Sequence, residues 1–132
     1  MALKVTPFLM FDGKAAEAAG FYVSLFENSA IEALERYGPE GPGPEGAVKM
    51  ANVKLGGQNM RFIDSPVKHD FTFTPAISMF VDCAEEAEID RLFEALSKDG
   101  QVMMPLDAYP FARKFAWVSD RFGVSWQLSL KL

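Results

Sequence analysis

Apolar and polar positions follow two rhythms along this chain, and the pair of rhythms comes twice. Val5 to Phe11 is short and almost wholly apolar, which predicts a buried strand. Asp12-Gly13 marks a turn. In KAAEAAGFYVSLFENS, Ala15, Ala18, Ala19, Tyr22 and Phe26 recur at helical spacing. A helix is expected there, ended by Asn28 and Ser29. Ala30 to Arg36 reads as a strand. YGPEGPGPEG then holds three prolines and four glycines in ten residues, the composition of a loop, read as a flexible flap. Ala47–Leu55 and Gln58–Asp64 form a hairpin about Gly56-Gly57.

The segment SPVKHDFTFTP joins this half to the next. Ala76 to Val81 is expected to be a strand. EEAEIDRLFEALSKDG is expected to be a helix, with Ile89, Leu92, Phe93 and Leu96 on one face and Gly100 as its stop. Gln101–Met104 reads as a short strand and PLDAYPF as a loop. Lys114–Ser119 and Ser125–Leu130 make a second hairpin about DRFG. The pattern is strand, helix, three strands, given twice. It predicts one α+β domain of two βαβββ modules, with helices on one face of a curved sheet. The first module covers about residues 1–66, the linker about 67–74 and the second about 75–132.

Strand alternation sorts side chains between two faces. Ala76, Ser78 and Phe80 share one face; Ile77, Met79 and Val81 share the other, suited to packing under the helices. Ser125, Gln127 and Ser129 share a face, with Trp126 and Leu128 opposite. A glutamine in mid-strand between Trp126 and Leu128 is the odd residue of this segment.

Charge narrows the partners. The chain has 132 residues, 49% of them hydrophobic, and a formal net charge of −5. That is material for one well-filled core. No basic stripe offers itself to nucleic acid or to an anionic membrane surface. No stretch approaches the ~20 apolar residues of a membrane span. With Cys83 the only cysteine and no signal-peptide pattern at the N-terminus, a cytoplasmic protein is expected. Asp82, Glu85 and Glu86 around Cys83 raise a thiol's pKa, so an inert, packed cysteine is expected there and not a nucleophile. Glu85, Glu86, Glu88 and Asp90 read as a solvated helix start.

Three segments carry a family resemblance: TPFLMFDGKAAEAAGFYVSLF, FTFTPAISMFVDC and FAWVSDRFGVSWQLSL. Together, in this order, they resemble the vicinal oxygen chelate superfamily of glyoxalases, extradiol dioxygenases and bleomycin-resistance proteins. Within it they resemble the PhnB-like group, often labelled 3-demethylubiquinone-9 3-methyltransferase domain. The resemblance implies that the two modules curl into a half-open barrel with a cleft. Metal-dependent members hold a divalent ion there with four ligands from the first and last strands of each module. Those positions fall here near Pro7, at Met60 or Arg61, at Ala76 and at Gln127. Only Gln127 keeps an oxygen donor, and a neutral one.

The function expected is therefore metal-independent binding of a small organic ligand, with no cofactor, in a homodimer. Arg61, Ser78, Phe80, Tyr109, Phe111, Trp117 and Gln127 are the ligand-binding candidates. Arg61 suits a carboxylate or phosphate, with a surface salt bridge as its plainer role. Tyr109 and Phe111 are placed in a loop at the cleft mouth. Phe8, Met10 and Trp117 are weighed against plain core packing. The alternative is a metal-dependent lyase, isomerase or dioxygenase of the vicinal oxygen chelate type. Its metal would be held by His69, Asp64 and Gln127, although a surface histidine is the simpler reading of His69. A methyltransferase is the third reading. Against it, no glycine-rich turn of the nucleotide-binding kind joins a strand to a helix.

Overall fold

A computed structural model describes residues 3–132. The chain divides into two compact units between Asp70 and Phe71. Each has the expected α+β content: one helix and a mixed four-stranded sheet.

The first unit runs β1 (Phe8–Phe11), α1 (Ala15–Leu25), β2 (Ala30–Arg36), β3 (Val48–Leu55) and β4 (Gln58–Asp64). Its strand order is β1-β4-β3-β2; β1 lies parallel to β4 and the other pairs are antiparallel. Alternation decides which side is covered. Leu9 and Phe11 of β1, Ala51 and Val53 of β3, and Met60 and Phe62 of β4 are buried beneath α1. The helix answers with Ala15, Ala18, Ala19, Tyr22 and Leu25. Tyr22 meets Phe62 edge-on at 5.9 Å, and Phe11 lies 5.1 Å from the same ring. The loop after β2 is laced at its base. Tyr37 N–H donates to Ala47 O at 2.9 Å, Gly46 N–H to Tyr37 O at 2.9 Å, and the Arg36 guanidinium to Gly46 O at 2.8 Å.

The second unit runs β5 (Met79–Cys83), α2 (Glu86–Ser97), β6 (Gln101–Tyr109), β7 (Ala112–Ser119) and β8 (Ser125–Leu130). Its order is β5-β8-β7-β6, again with the first strand parallel to the last. Ile89, Leu92 and Leu96 of α2 cover Ala116, Val118, Trp126, Leu128 and Leu130.

Four expectations are corrected. The first strand opens at Phe8, not Val5: Pro7 has no N–H for a ladder, though its carbonyl accepts from Arg61 N–H at 2.9 Å. The fifth strand opens at Met79, because Pro75 and Ala76 form a turn. Ile77 is consequently 74% exposed and not under the helix. The sixth strand runs on to Tyr109, through the segment read as a loop. Pro105 is tolerated because β6 is an edge strand whose pairing with β7 shifts register three times. Only Pro110 and Phe111 form the turn. Finally, α2 stops at Ser97, and the left-handed residue beyond it is Asp99. Gly100 serves a different need, since a Cβ there would collide with the Ser119 carbonyl oxygen.

Candidate functional site

The face of each sheet turned away from its helix is the open face. On the second sheet, three strands bring a polar cluster to that face. Gln127 of β8 lies opposite Phe80 of β5 and Trp117 of β7, and Trp117 lies opposite Met104 of β6. This row crosses the sheet. Phe80 is 55% exposed, while Trp117 and Gln127 are half-buried.

Hydrogen bonds stitch the row to two serines. The Trp117 indole N–H donates to Ser125 Oγ at 2.8 Å. Ser125 Oγ and Ser78 Oγ stand 2.6 Å apart, and Gln127 Nε2 donates to Ser78 Oγ at 3.2 Å. Ser125 is buried, though it faces the open side. So Ser78, Trp117 and Gln127 come together as a connected group with Phe80 beside them. Ser125 was not singled out from sequence. Its shared parity with Gln127 was the available signal.

Tyr109 and Phe111 form a second group. Their rings stack at 5.5 Å, and both meet Phe115 edge-on, at 5.8 and 5.0 Å. Phe115 shares the open face with Trp117, two residues along β7. The Tyr109 hydroxyl is already committed: it donates to Pro105 O at 2.7 Å, across the bulged strand. These aromatics therefore form a built strand end and not a loose recognition loop.

Arg61 lies in the first unit, on that sheet's open face, opposite Phe8 and Asn52. Among the described residues it makes no ion pair, so the salt bridge expected as its plainer role is not there. Phe8 is 54% exposed, so it is no core residue; Met10 is half-buried. Met60 faces the core.

The alternative metal set fares differently. Asp64 is buried on the helix side. Its Oδ1 accepts from Ala15 N–H and its Oδ2 from Val48 N–H, both at 2.9 Å. It ties the start of α1 to the start of β3. His69 is exposed in the connecting segment, 3.0 Å from Ser65 Oγ through Nε2. Gln127 belongs to the other unit. Among the described residues no three of His, Cys, Asp and Glu gather around one point.

Two buried groups outside the candidates complete the picture. Asp120 takes Phe122 N–H and Val124 N–H on Oδ1, at 2.8 and 3.0 Å, and the Trp126 indole N–H on Oδ2 at 2.8 Å. It holds the DRFG turn against the strand that carries Gln127. Cys83 is buried, and burial, with Glu88 nearby, pushes its thiol up to about 11. Neither helix start offers an open anion site: Asp64 occupies that of α1, and that of α2 is acidic, with Glu88 Oε1 accepting from Ala84 N–H.

With this geometry in place, likeness to known proteins can be stated. Residues 3–129 match the family model described as 3-demethylubiquinone-9 3-methyltransferase. The chain belongs to that family. A PhnB protein from Bacillus cereus is 54% identical, with 97% of this chain and 99% of that chain covered, and superposes with a TM-score of 0.95. Protein YjdN of Escherichia coli (strain K12) is 23% identical over 97% of this chain and 95% of its own length. A glyoxylase/bleomycin resistance protein/dioxygenase domain from Frankia sp. EAN1pec shares the fold alone. It is 13% identical over all of this chain and 94% of that one, with a TM-score of 0.67. The resemblance read from the three sequence segments thus holds: a PhnB-like chain with the glyoxalase fold. No helix among the described residues is long and apolar enough to cross a membrane.

Proposed function

We propose that this PhnB-like protein binds a small, partly apolar organic ligand on the open face of its second sheet, without a metal. One observation carries the reading. At the last-strand position where metal-dependent relatives place a ligand, Gln127 is engaged by its amide nitrogen in a serine and indole network. A divalent ion wants carboxylate, imidazole or thiolate donors in numbers. By the resemblance, the other ligand positions fall near Pro7, at Met60 or Arg61 and at Ala76, and none of these brings such a donor. Neutral hydrogen-bonding groups beside apolar surface are instead the usual lining of an organic-ligand site. We take the working form to be a cytoplasmic homodimer, since two-fold association is the commonest oligomeric arrangement. Light scattering on the purified protein tests that part.

The test of the main reading is elemental analysis of the purified protein, then thermal melts with Zn²⁺, Ni²⁺, Mn²⁺ and Fe²⁺ and with a broad small-molecule library. The expected result is no stoichiometric metal, no metal-dependent shift, and a melting-temperature rise with some organic compounds. A stoichiometric metal lost in Gln127→Ala would overturn it and favour lyase, isomerase or dioxygenase chemistry. The methyltransferase reading has the family's description in its favour. Binding of a sulfonium methyl donor in the same melts would revive it.

A further inference from the structure

The hydrogen-bond chain on the second sheet has a direction, and the direction selects a ligand class. An indole N–H donates only. Trp117 therefore spends one lone pair of Ser125 Oγ. Ser125 is buried, and among the described residues its hydroxyl has one other partner, Ser78 Oγ, 2.6 Å away. A buried hydroxyl proton without an acceptor is costly. Ser125 must therefore give its proton to Ser78. Ser78 Oγ also accepts from Gln127 Nε2, so both its lone pairs are taken. Its own proton has no acceptor among the described residues and is left to point outward. The same holds, with opposite sign, for Gln127. Its nitrogen is turned to Ser78, and its Oε1 is reached by no donor among the described residues.

An unsatisfied donor, Ser78 O–H, thus stands beside the free edge of the Gln127 amide, which offers the acceptor Oε1 and the second proton of Nε2. Exposed Phe80 lies directly opposite Gln127, and half-buried Trp117 on its other side. We infer that this corner recognises a neutral planar group carrying an adjacent acceptor and donor, a primary carboxamide or lactam, attached to a flat apolar body. A carboxamide carbonyl accepts from Ser78 while its N–H donates to Gln127. A carboxylate brings only acceptors: it can take the Ser78 and Nε2 protons, but it leaves Oε1 unpaired and sets an anion against it. A ketone leaves Oε1 unpaired, the kind of loss by which polar sites reject analogues. The inference rests on the ligand-binding reading above and adds the ligand's class to it.

The test is titration of ¹⁵N-labelled protein with benzamide, benzoate and acetophenone, following the two indole N–H signals. Trp117→Phe assigns them. Benzamide is expected to move the Trp117 signal with at least about fivefold higher affinity than either analogue, the size of one hydrogen bond. In the double variant Ser78→Ala, Gln127→Ala the three affinities should converge to within about twofold, set by apolar contact alone. The Trp126 signal, fixed on Asp120, reports that the variant is folded. Gln127→Glu, which keeps the length and an acceptor oxygen but adds charge, should still bind benzamide and exclude benzoate. Equal or stronger binding of benzoate or acetophenone overturns the carboxamide assignment while leaving an organic-ligand site standing. If neither this panel nor the wider library moves Trp117, both fall.

Discussion

The two units share one topology and carry opposite chemistry on their open faces. The central row of the first sheet is Phe8, Arg61, Asn52 and Ala33; that of the second is Phe80, Gln127, Trp117 and Met104. Each begins with an exposed phenylalanine on an edge strand parallel to the unit's last strand. After that they part. In the first, a solvated guanidinium with no ion pair among the described residues occupies the place that a networked glutamine holds in the second. Pairing fixes which residue stands at each point of the row and leaves its chemistry free to diverge. The comparison also shows a shared rule beneath the rows. Each unit commits one buried aspartate, Asp64 or Asp120, to hold backbone N–H groups at the end of a strand.

Breaking that shared rule should give the largest effect. Asp120→Ala strands two backbone N–H groups and an indole; a loss of about 4 kcal/mol is expected in urea unfolding. Asp64→Ala strands two N–H groups and should cost about 3 kcal/mol. If the order reverses, the second unit is not the more tightly laced.

One contribution to the alkaline limb of stability should come from the second unit. The Cys83 thiol is protonated in the fold up to about 11, against an ordinary 9.0. The folded state thus favours the neutral thiol. That contribution is complete below pH 9 and is lost as pH climbs towards 11, by at most about 2–3 kcal/mol. Subtracting a Cys83→Ala variant from the wild type across pH 8–11 isolates it. A flat difference would mean that the thiol is freer than its burial implies.

Close approach also differs between two glycines, one from each unit. Gly100→Ala drives a methyl into the Ser119 carbonyl and should cost about 2 kcal/mol. Gly13→Ala meets open space and only the strain of φ +80°, so about 1 kcal/mol is expected. The smallest effects fall on the rows themselves. Gln127→Ala should cost about 1 kcal/mol and Arg61→Ala less than about 0.5. A larger cost for Arg61 would give it a structural partner and erase the contrast.

Periodicity made much of this legible. Both helices, both hairpins and the side taken by Gln127 follow from local spacing. Ser78 is placed with Phe80 on one face by the same reasoning. What escaped is nonlocal or irregular. Asp64 reaches Ala15 from 49 residues along the chain, a contact that no neighbouring residue announces. Pro105 looks like a strand breaker until β6 proves to be a bulged edge. Ile77 fits an apolar alternation, yet the turn at Pro75 and Ala76 delays the strand. The Ser78–Ser125 pair needs the parallel register of β5 on β8, which no short window encodes.

That register has a bearing on synthesis at the ribosome. In each unit the earliest strand waits for the latest: Phe8 finds its partner only when Arg61 has emerged, and Phe80 only when Gln127 has. A nascent unit therefore carries an unzipped, apolar first strand through most of its translation. Chaperone demand should peak just before each closing strand appears, twice per chain.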